Sequence, residues 1–310
     1  MILSLGEALI DLIHSPGQTS PVAKLGGSPF NVATALSRLG VPTGFVCPLS
    51  TDQYGDRLRA HLRTNGVHQC IVEPVEAATA IAEVFTNDRG HPTYRFHRDR
   101  SADRSIRERP PIEAIPDQLN ALHFGSLVLA QADDWPAWKE AIARARHQGA
   151  FIAFDPNLRM ALIDDFDAYR TRLEEAVALC HLIKASDEDL TLLEPTVKPE
   201  TTLLQWWAPT RMVVLTEGEK GCQAWVSPSE NGRIACSETT HKSVVDTVGA
   251  GDTFQAALIA WLWHNQGFHR QISGSEAFSM LRFANGAAAL NCTKAGCQPP
   301  TLAEVQDALA

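Results

Sequence analysis

The strongest constraint on the fold is the alternation of short apolar segments with amphipathic ones. The stretch "ILSLGEAL" has the apolar run of a buried strand, and the later "LGGSPFNVATALSRLG" carries apolar residues at helical spacing from Phe30 to Leu39 before Gly40, which is placed to end a helix. The same order of strand and helix returns from Ala121 to "LIKAS". This alternation predicts an α/β fold in which a mostly parallel sheet is covered by helices on both faces.

Two stretches depart from the alternation. Between Thr79 and Arg98, the strand-like runs "TAIAEVFT" and "YRFHR" are joined by the turn signal "NDRGHP", which predicts a small inserted antiparallel sheet. The runs "CQAWVS" and "GRIACS" predict a second hairpin. Long helices are then predicted from about Gly251 and from about Ser275.

The composition excludes several classes of protein. With 45% hydrophobic and 20% charged residues over 310 positions, the chain is typical of a soluble globular protein. Its net charge of -9 argues against nucleic-acid binding, because phosphate backbones are bound by clustered lysine and arginine. The N-terminal segment lacks the basic region of a signal peptide, and no run is apolar enough to predict a membrane span. The seven scattered cysteines indicate reduced thiols in a cytoplasmic protein.

Ligands of parallel α/β sheets bind beyond the carboxyl ends of the strands. The glycine-rich elements "LGGSPFN", "TEGEKG" and "GAGD" are expected along this edge. None of them is a Walker A loop or a GxGxxG dinucleotide fingerprint, so P-loop and NAD-dependent oxidoreductase functions lose their main support. The same edge is predicted to hold the polar and glycine residues that follow apolar strands: Asp11, 26–27, 155–157, Ser186 and 216–218.

The stretch "DTVGAGDTFQAALIAWL" places Asp252 in the first turn of a predicted helix, directly after Gly249, Ala250 and Gly251. Aspartate at a helix start can simply cap backbone N–H groups. Small residues before a helix N-terminus can also form an anion site, which the carboxylate would then face. The motif alone leaves both interpretations open.

Taken together, the motifs resemble those of a known family. "GGSPFNVATALSRLG" and "DTVGAGDTFQAA" are similar to the N-terminal and C-terminal signatures of the ribokinase-like, or PfkB, carbohydrate kinases, and "GEALID", "HFGS", "DPNLR", "LTEGEKG" and "ANGAAALNCTKAGCQPP" follow the family order. The resemblance implies one ribokinase-like domain over 1–310, built as a three-layer αβα sandwich. It also implies a small β lid, formed mainly by segments near 10–25 and 79–100.

The resemblance assigns roles to the site residues. Asp252 would be the catalytic base, and the N–H groups of Gly249, Ala250 and Gly251 would form the anion hole for the transferred phosphate. The implied sugar-binding residues are Asp11, Gly27, Asn31, Arg98 and Arg159. For Asn31 the alternative is an ordinary helix-start residue, and for Arg98 a solvated surface charge. The implied nucleotide-binding residues are Lys184, Ser186, Thr216, Gly218, Gly221 and Asn285.

Two ion sites follow from the same resemblance. Ser186 and Asp189 stand where the family usually has the Asn and Glu of its NxxE motif, so Asp189 would hold Mg²⁺ through water, with helix capping as the alternative. A monovalent cation, K⁺, would be bound by Asp246 and by backbone carbonyls, with loop capping by Asp246 as the alternative. The residues expected to supply these carbonyls are Val248, Asn291, Lys294 and Gly296. Ser50 replaces a usual glycine, which alters a turn without touching the chemistry.

The motifs "HFGS", "DPNLR" and "YRFHRDRSAD" are most similar to those of fructokinases. The resemblance implies transfer of phosphate from ATP to the C6 hydroxyl of D-fructose, with Mg²⁺ as cofactor and with homodimers formed through the lid. The nearest alternative is a 2-keto-3-deoxygluconate kinase, whose substrate carboxylate would bind Arg98 or Arg159. An alternative of another class is a sugar or nucleotide sensor that kept the fold without catalysis.

Overall fold

The strands form two separate sheets in the computed structural model, which describes residues 1–14, 19–86, 92–207, 210–226, 233–236 and 243–310. Within these residues the larger sheet has nine strands. In spatial order they are β13 (Arg233–Cys236), β12 (Cys222–Val226), β11 (Met212–Thr216), β10 (Leu182–Ser186), β9 (Phe151–Asp155), β8 (Ala121–Gly125), β1 (Ile2–Leu5), β4 (Thr43–Val46) and β5 (His68–Gln69). The strands from β11 to β5 are parallel, and β12 and β13 form the predicted hairpin.

The smaller sheet, called the lid below, has the order β3 (Val22–Gly26), β2 (Leu9–His14), β6 (Ala80–Thr86) and β7 (Pro92–His97). The prediction of a small inserted sheet is confirmed. Its β6 and β7 are antiparallel as expected, but β2 joins β6 in parallel, a long-range pairing that the local pattern does not contain. The central residues of the predicted turn "NDRGHP" lie outside the described residues.

Helices cover both faces of the larger sheet. They are α1 (Ser28–Arg38), α2 (Gln53–Thr64), α3 (Trp135–His147), α4 (Phe166–Leu179), α5 (Asp187–Leu193), α6 (Pro199–Gln205), α7 (Ala250–His264), α8 (Gly274–Cys292) and α9 (Leu302–Leu309). Successive residues of β1 point to opposite faces: Ile2 joins the core formed with α1, α7 and α8, whereas Leu3 joins the core formed with α3 and α4. The predicted three-layer α/β fold is confirmed. None of the helices in the described ranges is long and apolar enough to span a membrane.

The register of the sheet brings polar residues to one edge. Asp155 pairs with Gly125 at the ends of β9 and β8, and Ser186 pairs with Thr216 at the ends of β10 and β11. Only a glycine fits at position 125, because a Cβ there would lie 2.0 Å from the carbonyl oxygen of Asp155 at the end of β9. The helices α1 and α7, which carry the two sequence signatures, pack against each other.

Candidate active site

The site is centred on Asp252, which lies in the first turn of α7 and is 8% exposed. Both of its carboxylate oxygens accept hydrogen bonds from the start of α1: Ser28 Oγ lies 2.6 Å from Oδ1, and Asn31 Nδ2 lies 2.7 Å from Oδ2. The two sequence signatures therefore meet at one carboxylate. Two donors hold that carboxylate in a single orientation.

The pKa of Asp252 reflects this environment. Burial raises the pKa, while the hydrogen bonds from Ser28 and Asn31 and the positive charges of Lys184 and Arg159 lower it. The net effect is a raised pKa. A carboxylate with a raised pKa is a stronger base, and proton transfer is most efficient when the pKa of the base lies near the operating pH.

The approach to α7 depends on a glycine in the left-handed region. Gly249 precedes the helix with a φ of 75°, and a Cβ at this position would lie 2.3 Å from Cys297 Sγ. No other residue fits both the backbone angle and the space. Within this turn Ala250 N donates to the carbonyl oxygen of Thr247 at 3.1 Å, and the role of the turn as an anion site stays a prediction.

We expect Gly249→Ala to lower the free energy of unfolding by about 2 kcal/mol or more, because a positive φ costs about 1–2 kcal/mol in an L-residue and the contact with Cys297 adds to this cost. The matched control is Gly149→Ala: Gly149 has a φ of 89° and no atom within 4 Å of its Cβ position. Urea unfolding of both variants measures the difference. Equal losses would show that the contact with Cys297 does not constrain the turn.

A buried ion pair lies beneath this turn. Lys184 Nζ donates to Asp155 Oδ2 at 2.8 Å, and their side chains are 5% and 1% exposed. A Cβ on Gly251 would lie 3.2 Å from the same ammonium group. A cation at a helix N-terminus opposes the helix dipole, so the arrangement is favoured when an anion lies between them. Asp155 lies at the predicted edge of the sheet, and no sequence motif indicated its pairing with Lys184.

Asp11, Arg159 and Asp252 influence one another through their charges. Burial raises the pKa of Asp11 to about 6, Arg159 lowers it and Asp252 raises it. Arg159 Nη1 is held by its own loop, through Asn157 Oδ1 at 2.7 Å. These three side chains thus act on one another electrostatically, and their contacts with a sugar stay predictions. Gly27 has a φ of 105° and a Cβ there would lie 2.6 Å from the carbonyl oxygen of Glu7, which explains the glycine at the start of α1.

Arg98 is buried rather than exposed. It follows β7, is 6% exposed and donates from Nε to Asp103 Oδ2 at 2.6 Å. Its interpretation as a solvated surface charge is wrong, because the chain brings Asp103 against it five residues later. Contact with a substrate stays a prediction, and Asp103 already neutralises the guanidinium.

Ser186 and Asp189 form a capping box at the start of α5. Ser186 Oγ accepts from Asp189 N and donates to Asp189 Oδ2, while Asp189 Oδ1 accepts from Leu158 N at 2.8 Å. Both oxygens of this carboxylate are thus in use within the protein. The structure therefore contains the helix cap that was the alternative to a metal site. The Mg²⁺ role of Asp189 stays a prediction.

The predicted nucleotide residues lie along the same end of the sheet. Thr216 ends β11, and Gly218 and Gly221 have φ angles of 56° and 94° in the turn that follows. Asn285 on α8 donates from Nδ2 to the carbonyl oxygen of Cys236 at 3.2 Å and so links that helix to β13. Their contacts with a nucleotide stay predictions.

Asp246 organises the loop before α7. Its Oδ1 accepts from Val248 N at 3.1 Å and its Oδ2 from Gly296 N at 2.7 Å, while Asn291 Nδ2 donates to the carbonyl oxygen of Val248. Lys294 extends to Glu304 on α9. These contacts form the predicted loop cap. Among the described residues no group of three or more His, Cys, Asp and Glu side chains is arranged to hold a metal ion, so a cation here would depend on backbone oxygens.

Comparison with known proteins gives matches over nearly the whole chain. The family model "pfkB family carbohydrate kinase" matches residues 1–304. "Probable fructokinase-4" of Arabidopsis thaliana is 33% identical over 330 residues, which covers 100% of this chain and 96% of that protein. "Probable fructokinase-3" of the same plant is also 33% identical, over 99% of this chain and 90% of that protein.

Solved structures show the same architecture. The structure of fructokinase with bound ATP from Xylella fastidiosa has a TM-score of 0.88 and 27% identity, covering 99% of this chain and 97% of that one. A fructokinase double mutant from Vibrio cholerae O395, in fructose, ADP and potassium ion bound form, has a TM-score of 0.83 and 28% identity, covering 100% and 98%. The chain belongs to the pfkB family of carbohydrate kinases, phosphotransferases that act on a sugar hydroxyl.

Proposed function

We propose that this protein is an ATP-dependent fructokinase that converts D-fructose and ATP to D-fructose 6-phosphate and ADP. The observation that carries the proposal is the buried carboxylate of Asp252, oriented by Ser28 and Asn31 at the start of α7. The relatives named fructokinase, at 33% identity over nearly the whole chain, support fructose as the substrate. The related structures with bound ATP, or with fructose and ADP, support the two ligands.

In the proposed reaction Asp252 accepts the proton of the C6 hydroxyl as that oxygen attacks the γ-phosphorus of ATP. The bond from the γ-phosphorus to the bridging oxygen breaks, and ADP leaves. Such a reaction depends mainly on positioning and on neutralising charge. The N–H groups of Gly249, Ala250 and Gly251 would bind the transferred phosphoryl oxygens, for which Ala250 N–H would have to leave the carbonyl oxygen of Thr247, its acceptor at 3.1 Å. Lys184 would add a full positive charge beside them.

The ions of the proposed reaction have matching residues in this chain. Asp155 Oδ1 is buried and has no hydrogen-bond partner among the described residues, so it suits a metal-bound water. Asp189 would join it only by sharing oxygens that already accept from Leu158 N and Ser186 Oγ. Bound Mg²⁺ would neutralise charge on the β- and γ-phosphates. The oxygens of Asp246, with backbone carbonyls of Val248, Asn291, Lys294 and Gly296, suit K⁺, and the related Vibrio cholerae structure with a potassium ion supports this site.

The charges in the cleft favour a neutral sugar. Asp11 and Asp252 place two carboxylates on the proposed sugar side, where a 2-keto-3-deoxygluconate carboxylate would be repelled. Of the two arginines considered for such a substrate, Arg98 is already paired with Asp103 at 2.6 Å. Arg159 remains close to both Asp11 and Asp252, so its charge is shared with two acids. We therefore favour fructose over the acid sugar.

ADP release with Mg-ATP and K⁺ tests the proposal, with fructose, 2-keto-3-deoxygluconate, ribose, glucose and adenosine in parallel. We expect the highest kcat/KM with fructose, and analysis of the product is expected to show phosphate on C6. A higher kcat/KM with 2-keto-3-deoxygluconate than with fructose would overturn fructose as the substrate. The protein would then still be a sugar kinase. ATP binding without turnover of any sugar would instead favour the sensor alternative. Asp252→Asn is the control for contaminating kinases.

Assembly through the lid also stays a proposal. Val22 and Tyr94 are 42% and 47% exposed, and the strand register places both on the lid face that carries Asp11. Apolar side chains on that face suit contact with a bound sugar or with a second lid.

A cytoplasmic location, expected from the cysteine pattern, is likewise a prediction.

A further inference from the structure

Glu7 is a buried acid with no role in the chemistry described above. It follows β1, is 3% exposed and lies beneath the N-terminus of α1. Its Oε1 accepts from Ser28 N at 3.2 Å and its Oε2 from Leu127 N at 3.3 Å. One carboxylate thus joins two backbone segments that are about 100 residues apart in the chain.

The first of these contacts leads directly to the base. Ser28, whose N–H donates to Glu7, also donates from Oγ to Asp252 Oδ1 at 2.6 Å. The backbone of Glu7 supports the same turn, since its carbonyl oxygen lies against Gly27. A displacement of Glu7 would therefore move the hydroxyl that orients Asp252.

The contacts of Glu7 are strongest in its ionised form, since hydrogen bonds to a charged acceptor are stronger. Both N–H groups need an acceptor, and a protonated carboxyl presents an O–H at one of its two oxygens. Burial raises the pKa of Glu7 to about 7, Arg98 lowers it and Asp103 raises it. The other groups that act on this region are the buried thiol of Cys47, the Ser126 hydroxyl and, through Arg98, Asp134.

We propose that Glu7 is a positioning residue for phosphoryl transfer, which acts through Ser28 on Asp252 and is competent only when ionised. The proposal rests on the proposed function, in which Asp252 is the base. If Glu7 has this role, stability and catalysis change in opposite directions with pH, which a purely structural role would not produce. Because the pKa of Glu7 is raised on folding from 4.5 to about 7, the folded state holds a proton in that range that the unfolded state has lost. As the pH falls from 7 toward 4.5, the contribution of Glu7 to stability rises while catalysis is lost.

The test is the pH dependence of kcat and kcat/KM between pH 5.5 and 9 for the wild type, Glu7→Gln, Ser28→Ala and the double variant. We expect an acidic limb near pH 7 in the wild type. In Glu7→Gln this acidic limb is expected to move to about pH 6. Asp11, whose pKa burial raises to about 6, would then be the group whose protonation limits activity. We expect kcat to fall by about 10-fold to 100-fold, the scale of one hydrogen bond to a charged group, with the KM for ATP within about 3-fold.

Ser28→Ala keeps Glu7 but removes the connection to Asp252, so its acidic limb is expected to move in the same way. The double variant is expected to be no slower than the slower single variant, because the two residues act in series. Glu113→Gln, at an exposed acid away from the site, controls for the loss of a negative charge. Unfolding midpoints across the same pH range report the stability of each variant.

The role of Glu7 is overturned if Glu7→Gln is active with an unchanged acidic limb of its pH profile, or if the effects of the two substitutions add in the double variant. Either outcome leaves the proposed function standing. If Glu7→Gln does not fold, Ser28→Ala decides, since a limb that stays near pH 7 in that variant would overturn the connection. A wild type that phosphorylates no sugar would overturn the proposed function, and the role of Glu7 with it. The two failures are thus distinguished by the activity of the wild type.

Discussion

Asp252→Asn is expected to lower kcat by about 10³-fold or more while ATP still binds, because removal of a general base costs about 10²-fold to 10⁴-fold. The amide has nearly the shape of the carboxylate, but its NH₂ group would face Ser28 Oγ or Asn31 Nδ2, which are both donors in the present structure. The variant thus loses both the base and its alignment. The measurements are steady-state kcat with fructose and the Kd for ATP by calorimetry.

A matched control for this variant is Asp307→Asn, on the exposed side of α9. It makes the same chemical change away from the site and is expected to keep wild-type activity. Wild-type kcat in Asp252→Asn would exclude Asp252 as the base. Loss of ATP binding together with kcat would indicate that the aspartate supports the turn before α7 rather than the chemistry.

Lys184→Met is expected to lower the free energy of unfolding by about 3–5 kcal/mol, because it leaves Asp155 as an uncompensated buried charge. Phosphoryl transfer is expected to fall as well, since the ammonium group lies 3.2 Å from where a Cβ on Gly251 would be and so close to the proposed anion site. Urea unfolding gives the first effect and kcat gives the second. Burial lowers the pKa of Lys184, but the charges of Asp155, Asp189 and Asp252 raise it by more. The net pKa is raised, so the lysine stays charged.

The double variant Lys184→Met with Asp155→Asn separates the two roles of the pair. It removes both charges and is expected to recover part of the lost stability, because no unpaired buried ion remains. It is not expected to recover kcat, since the positive charge beneath the anion site is still missing. Recovery of both would show that Lys184 has a structural role alone.

The site was predictable from sequence where its residues belong to local motifs. Gly249, Ala250, Gly251 and Asp252 lie together in four positions, and their placement at the start of a helix follows from the apolar run behind them. The structure adds that Gly249 also avoids Cys297. Local patterns report backbone angles and helix ends because these depend on neighbouring residues.

Other features could not be predicted in this way. Arg98 is one of several arginines in a polar stretch, and its burial depends on the fold of the segment that brings Asp103 against it. Ser186 and Asp189 allowed two interpretations from sequence, and the structure shows the capping contacts. Glu7 belongs to the motif "GEALID", but its contacts could not be predicted, because its partners Ser28 and Leu127 are remote in the chain.

By itself, the sequence determined the alternation of strands and helices, the α/β class, the small inserted sheet and the motif that carries Asp252. These depend on periodicity and on short-range backbone preferences. Only the tertiary structure decided which side chains meet: Ser28 with Asp252 across 224 positions, Asp155 with Lys184 across 29, and Glu7 beneath α1. Such contacts depend on the strand order and register of the sheet, which long-range packing sets and no local pattern contains.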